Sequence, residues 1–178
     1  MNKLTRCYRS VAFAVAVSLF ALETLAAVGD DFLVDGGFEE PNGGKVLDNV
    51  YINTHWSGVV YSGTSGCAYN PGSDFVTGNF CGILQDNRYA EQEFDVDTSC
   101  YATLKWRCKR RGSDVDNDPY CYEVWLDDKC IWPEEILWES SMIMYRRIDN
   151  IKLTSGKHKL KIKGKKKVNS STAFFDDI

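Results

Sequence analysis

The side chains of this 178-residue chain that could do chemistry are 25 acids, two histidines and seven cysteines. Two carboxyl groups set roughly 5 to 9.5 Å apart across a glycosidic bond could cleave it, but the sequence marks no such pair. Glu134 and Glu135 are adjacent, so on a strand they point to opposite faces, and a solvated turn is the simpler account of them. Gly63-Thr64-Ser65-Gly66 lacks the glycine two places after serine that a nucleophile elbow needs. His55 reads as a loop residue and His158 as an inward-facing strand residue, not as a base. Asp114, Asp116 and Asp118 begin like an EF-hand loop, but Pro119 stands at the sharp turn and Trp125 where the last carboxylate belongs. A hydrated hairpin tip fits that stretch better.

The elements that would position such groups begin after an export signal. Basic Lys3, Arg6 and Arg9, an apolar run from Val11 to Leu22 and the small-residue end Thr24-Leu25-Ala26-Ala27 have the layout of a secretory signal peptide. The run falls short of the roughly 20 residues of a membrane-spanning helix. Residues 1–27 are therefore expected to be removed, Cys7 with them, leaving no membrane span. Residues 28–178 are the size of one ordinary domain. Its six cysteines, Cys67, Cys81, Cys100, Cys108, Cys121 and Cys130, contain no C-x-x-C pair, so in an oxidising compartment they read as disulfides and not as a zinc site. A net charge of −4 gives no reason to expect a nucleic-acid partner.

No helical period is sustained after the signal. Short β-branched and aromatic runs separated by Gly, Asn, Asp and Pro predict an all-β chain. The expected strands are Phe32–Val34, Trp56–Ser62, Cys81–Gln85, Glu91–Val96, Cys100–Lys109, Tyr120–Ile131, Met142–Leu153, Lys157–Lys163 and Thr172–Ile178, with a helical turn allowed at Glu134–Ser140. Two runs alternate clearly. Ala102, Leu104 and Trp106 share one face against Tyr101, Thr103, Lys105 and Arg107, and Val124 and Leu126 oppose Glu123, Trp125 and Asp127. The turn-rich connection Arg110–Pro119 suggests that these two runs pair as a hairpin, with Leu104 opposite Leu126 and Trp106 opposite Val124 inside. Lys105, Arg107, Glu123 and Trp125 would then share the outer face. That register sets Cys100 opposite Cys130 and brings Cys108 within one residue of Cys121, a second bridge that needs a bulge. Cys67–Cys81 would close the Gly- and Asn-rich loop between them. The chain stops at Phe174-Phe175-Asp176-Asp177-Ile178, inside an expected strand, which reads as a fragment of something longer.

The opening Phe32-Leu33-Val34-Asp35-Gly36-Gly37-Phe38-Glu39-Glu40-Pro41, followed at a distance by Trp56, resembles the start of galactose-binding-like jelly rolls, which include several carbohydrate-binding module families. Gln92-Glu93-Phe94-Asp95-Val96, Glu123-Val124-Trp125-Leu126-Asp127-Asp128, Leu153-Thr154-Ser155-Gly156-Lys157-His158-Lys159-Leu160 and Phe175-Asp176-Asp177-Ile178 resemble later strands of that family in its own order. The resemblance implies a two-sheet antiparallel β-sandwich, here disulfide-stapled, with ligands on a concave sheet face or at loops along one edge. It also implies a structural calcium between the opening Glu39 and the closing Asp176, or Asp177 if the faces are inverted. A salt bridge from Asp176 to a nearby lysine is the competing reading, because a buried carboxylate must be paired, protonated or bound to a cation.

Sugar rings stack on exposed aromatic rings while polar side chains take their hydroxyls. Trp125 with Lys105, Arg107 and Glu123 is the expected platform, and Trp56 and Tyr69, then Tyr61, Trp132 and Trp138, are the other aromatic candidates. Lys157, Lys159, Lys161 and Lys163 form a row of ammonium groups, extended by Lys165, Lys166 and Lys167. Such a row protects a sheet edge or attracts an anionic polysaccharide. The leading expectation is a secreted or cell-surface, non-catalytic module for an extracellular poly- or oligosaccharide. A structural or adhesive surface domain comes second and a glycan-active enzyme third.

Overall fold

The computed structural model describes residues 31–39, 45–47, 50–52, 55–58, 60–63, 71–112, 119–138, 142–165 and 172–178. The expected export signal, Cys67, Tyr69 and the Asp114–Asp118 tip lie outside them, and the side chains of Tyr61 and its strand are not described. The described residues form strands β1 (Lys45–Leu47), β2 (Val50–Ile52), β3 (Val60–Gly63), β4 (Phe80–Gln85), β5 (Tyr89–Val96), β6 (Cys100–Arg110), β7 (Tyr120–Leu126), β8 (Lys129–Leu137), β9 (Met144–Leu153), β10 (Gly156–Lys165) and β11 (Thr172–Asp176). They make two antiparallel sheets, one of seven strands in the order β1-β2-β3-β4-β11-β6-β9 and one of four in the order β5-β10-β7-β8. From β4 onward every connection except that between β7 and β8 passes from one sheet to the other. Among the described residues no helix is long and apolar enough to cross a membrane.

The alternation that assigns faces in β6 and β7 holds. Trp106 and Cys108 are buried while Tyr101, Thr103 and Lys105 are exposed, and Tyr120, Tyr122 and Val124 are buried while Glu123 and Trp125 are half-buried. The predicted pairing of the two strands does not hold. β6 lies between β11 and β9, whereas β7 lies between β10 and β8 in the opposite sheet. Their inward faces meet across the sandwich: the Trp106 indole N–H donates to the Tyr122 hydroxyl at 3.1 Å. The predicted strand Tyr120–Ile131 is in fact a hairpin, β7 turning into β8 at Asp127, which adopts a positive φ of 53°. Aspartate is among the few residues other than glycine that visit that backbone region, and contacts to β10 hold this one there. Here one Asp127 oxygen accepts from Lys159 N at 2.9 Å. The expected strand Phe32–Val34 is a bend and turn, and the expected helical turn from Glu134 is the end of β8.

The core carries Phe38, Trp56, Trp106, Tyr120, Tyr122 and Phe175 among its large side chains. Phe175 packs edge-on against Tyr122 at 5.2 Å. The outer face of β11 is buried too, because Phe75 and Val76 close over Phe174 and Ile83 in a second cluster. At the edge formed by β5, buried Gln92 ties down the opening segment, donating to Val34 O at 2.8 Å and accepting from Val34 N at 2.7 Å.

Two of the disulfide expectations, Cys100–Cys130 and Cys108–Cys121, follow the hairpin and fall with it. Cys100 and Cys130 stand in opposite sheets and are free thiols, and Cys108 is a free thiol beside the Tyr122 hydroxyl at 3.5 Å, facing inward and not toward Cys121. For the third expected pair, Cys67 lies outside the described residues. Burial pushes the Cys108 thiol up to about 12, which suppresses the reactive thiolate. Iodoacetamide on the folded chain, read by peptide mass spectrometry, should therefore label half-buried Cys130 well before Cys108. A Cys100–Cys130 cross-linked peptide would contradict this topology.

Candidate functional site

The open half of the seven-stranded sheet's outer face belongs to β6 and the edge strand β9. Register sets Tyr101 opposite Lys152, Lys105 opposite Arg147 and Arg107 opposite Tyr145. A bulge between these pairs, with Asn150 at a φ of 58°, leaves Asp149 able to accept from the Thr103 hydroxyl at 2.9 Å. Two aromatic rings stand out on this face, Tyr101 at 54% and Tyr145 at 66% exposure. Six residues of β6 separate Tyr101 from the Arg107–Tyr145 pair, about 20 Å along a strand, a span for several sugar rings.

Arg107 is not available as a platform group. Its guanidinium lies 5.5 Å from the Phe75 ring and 6.0 Å from the Tyr145 ring. It donates to Asp176 Oδ2 at 2.7 Å and to the Thr77 hydroxyl. Its Nε is also 2.8 Å from Asp177 Oδ2, a charge contact whose direction is not that of a hydrogen bond. Asp176 is 1% exposed but faces outward beneath the 75–77 segment, with its backbone opposite Arg107. Alternation from an inward Ile178 would place Asp176 inward as well, but Asp177 takes a positive φ of 50° and breaks that alternation. Burial pushes the Asp176 carboxyl up to about 6, against the hydrogen bond from Thr77 N and the Arg107 charge.

Glu39 accepts from Asn79 N and Phe80 N at 2.9–3.0 Å, and a side chain at Gly78 would collide with its carboxylate. Glu39 and Asp176 thus hold successive turns of one segment through N–H donors. The positive charge at Asp176 and Asp177 is a guanidinium, where a lysine had been the expected ion-pair partner. Oxygens committed in this way do not fit a calcium ion, and among the described residues no three His, Cys, Asp or Glu side chains gather to hold a metal.

The other outer face carries the remaining predicted platform residues. Trp125 is half-buried and donates through Nε1 to Glu123 Oε2 at 3.1 Å, while Glu123 receives Lys165 at 2.6 Å. The hydrogen bond from Lys165 holds the Glu123 carboxyl below the usual carboxylate range. The structure therefore separates Glu123 and Trp125 from Lys105 and Arg107 by the full thickness of the sandwich. The lysine row of β10 is interleaved with acids from its neighbours. Lys157 meets Asp95 at 3.3 Å, Lys159 meets Glu93 at 3.2 Å and Lys161 meets Glu91 at 2.5 Å. Trp56 is 1% exposed, its Nε1 donating to Asp35 O at 3.1 Å, so it is core and not an edge platform. Trp132 packs edge-on against Trp106 at 5.2 Å, and Trp138 is exposed just beyond β8.

A polar cluster between the sheets had no sequence signal beyond the adjacent pair Glu134-Glu135. Glu135 points inward from edge strand β8 and accepts from Tyr122 OH at 2.5 Å, Trp132 Nε1 at 2.9 Å and Arg146 Nε at 2.8 Å. Arg146 belongs to β9, so the ion pair joins the edges of the two sheets. Burial alone would raise the Glu135 carboxyl, but hydrogen bonds from Arg146, Tyr122 and Trp132 outweigh it and hold the group down. A carboxylate that accepts from three donors and is held below its ordinary range acts as a clasp between the sheets. At one end the sheets part around a cavity of about 770 Å³, lined by apolar residues such as Leu104, Leu126, Ile151 and Leu160 and at its mouth by Asp31, Thr103, Lys105 and Asp177.

Comparison by sequence finds no matching family model and no matching curated protein. Comparison of folds finds TmCBM61, solved in complex with β-1,4-galactotriose, at a TM-score of 0.56 and 16% identity over 83% of this chain and 95% of that one. The chain has the jelly-roll fold of that carbohydrate-binding module. This jelly roll is also matched, at TM-scores of 0.39 and 0.37, by a family 16 carbohydrate-binding module at 14% identity and a CBM4 module at 12%, each over 82% of this chain and 96% of that one.

The clasp and the Asp176 site make opposite predictions with pH. Arg146→Ala should cost roughly 2–3 kcal/mol, below a fully buried pair because both partners keep some exposure. The clasp's contribution is present above the ordinary Glu value of 4.5 and lost as pH falls through the lowered one. Asp176, raised from 3.8 to about 6, contributes stability that is present below 3.8 and lost as pH rises through about 6. Urea unfolding from pH 3.5 to 7 should show Asp176→Asn removing that decline, and an unchanged decline in the variant would refute the assignment.

Proposed function

We propose that this chain is a secreted, non-catalytic domain that binds extracellular poly- or oligosaccharide on the outer face of β6 and β9. The observation that carries the reading is the exposure of Tyr101 and Tyr145 on one face of neighbouring strands, with Thr103, Lys105, Arg147 and Asp149 between them. Flat rings at two ends of a hydrogen-bonding strip suit a sugar chain lying along the strands, because the rings stack on C–H faces and the strip serves the hydroxyls. The fold shared with a carbohydrate-binding module supports the same reading. The basic, apolar and small-residue layout of residues 1–27 supports export.

The non-catalytic part of the proposal rests on how the carboxylates are held. Glu135 is clasped by Arg146, Asp176 and Asp177 by Arg107, and Glu91 by Lys161. Each of these carboxylates is bound to a cation, where glycoside hydrolysis needs a pair free to act as acid and base across the bond.

A glycan array with the chain lacking residues 1–27 should return at least one carbohydrate ligand. On that ligand Tyr101→Ala and Tyr145→Ala should each remove stacking worth about 0.5–1.5 kcal/mol beyond buried area, a loss of about twofold to tenfold in affinity at unchanged melting temperature. Trp125→Ala should leave binding intact. Loss of binding with Trp125→Ala alone would move the site to the four-stranded sheet, and no ligand on the array would favour the surface-domain reading.

A further inference from the structure

The charge of the two outer faces separates them further. On the four-stranded sheet the cations of β10 are matched across the ladder by Asp95, Glu93, Glu91 and Glu123. An approaching anion meets those carboxylates together with the lysines. The β6/β9 strip is different. Lys105 and Lys152 make no ion pair among the described residues, and Arg147, with its side chain 58% exposed, shares the only carboxylate in the strip, Asp149, which also accepts from Thr103. Lys105, Arg147 and Lys152 thus face the single anion of β6 and β9 along the strip that runs from Tyr101 to Tyr145, while Arg107 at the Tyr145 end is neutralised by Asp176 and Asp177, on a chain whose formal net charge is −4. A local excess of cations sets up an attractive field for anions whatever the overall sign of the chain.

We infer that the polysaccharide taken by this face is anionic, bearing carboxylate or sulfate groups along its chain, with Lys105, Arg147 and Lys152 meeting those groups and Tyr101 and Tyr145 stacking on the rings. The inference rests on the carbohydrate reading above and narrows it to a substrate class. It moves the anion-attracting role from the lysine row that dominates the sequence to side chains that draw no notice there. Lys105 and Arg147 stand on the same face at one register position, and Lys152 lies beside Tyr101, so the charges follow the strand direction as repeating charges on a polymer would.

The test compares polymers that differ in charge alone: polygalacturonate with its fully methyl-esterified form, and dextran sulfate with dextran, by affinity gel electrophoresis and titration calorimetry. At least one charged polymer should bind at least tenfold tighter than its neutral counterpart, and a preference in the first pair or the second distinguishes carboxylate from sulfate. The double variant Lys105→Gln, Lys152→Gln should lose about threefold to tenfold in affinity for it, with a weaker salt dependence and an unchanged melting temperature. Tyr145→Ala should weaken the same binding, which a merely ionic attraction would not show. Equal binding of neutral and charged forms overturns the anionic inference and leaves the carbohydrate reading standing. Binding that survives the β6/β9 substitutions but is lost in Lys159→Gln, Lys161→Gln overturns the placement. If none of the four polymers binds while the array finds a neutral glycan, the inference is overturned; if the array is empty too, both readings fall.

Discussion

The Trp106 indole and the Tyr122 ring meet in the middle of the sandwich through one hydrogen bond, and most of the architecture depends on that meeting. A buried indole N–H needs an acceptor and a buried phenol needs partners on both its lone pairs and its proton. Tyr122 accepts from Trp106 and donates to Glu135, which is held in turn by Trp132 and Arg146. One polar chain therefore runs from β6, next to the edge of the seven-stranded sheet, through the four-stranded sheet, to the edge strands of both. The energetic stake is highest at Trp106 and Tyr122, which are buried, where a group left unbonded costs about 1–3 kcal/mol. With those inward faces committed to each other, the outward residues of β6 and β7 must lie on opposite surfaces.

That constraint explains why the face of each strand was legible in the sequence and the sheet was not. Alternation along Tyr101–Cys108 and Tyr120–Leu126 reports which side chains are apolar, and it is the same whether two strands lie side by side or face each other across a core. The connection Arg110–Pro119 has the composition of a turn, and a crossover between sheets needs the same residues. The expected Cys100–Cys130 and Cys108–Cys121 pairs failed for that reason alone. Glu135 escaped because Pro133 and the bulges of β8 break the alternation that would have marked a strand. Trp56 gave no periodic neighbours to show that it belongs to the core. Asp176 was legible as a buried carboxylate in need of a partner, but its partner is Arg107, placed beside it by a β6–β11 pairing of residues far apart in sequence.

Charge was the least legible property. A strand shows its own side chains and not its neighbours', so Lys157–Lys163 looked like an exposed cationic row until β5 and β7 supplied acids on both sides. Lys105 and Lys152 sit singly in the sequence and are brought to one face only by the β6–β9 register. The functional reading accordingly moved from residues that are conspicuous along the chain to residues that the topology gathers.

The central claim is that ligand lies along β6 and β9 and leaves the other outer face untouched. Two-dimensional amide NMR of the isotope-labelled chain, titrated with a carbohydrate that binds it, tests this directly. Shifts confined to Tyr101–Arg107 and Tyr145–Lys152 are the predicted result. Shifts concentrated at Glu91–Glu93, Trp125 and Lys157–Lys163 would contradict the account.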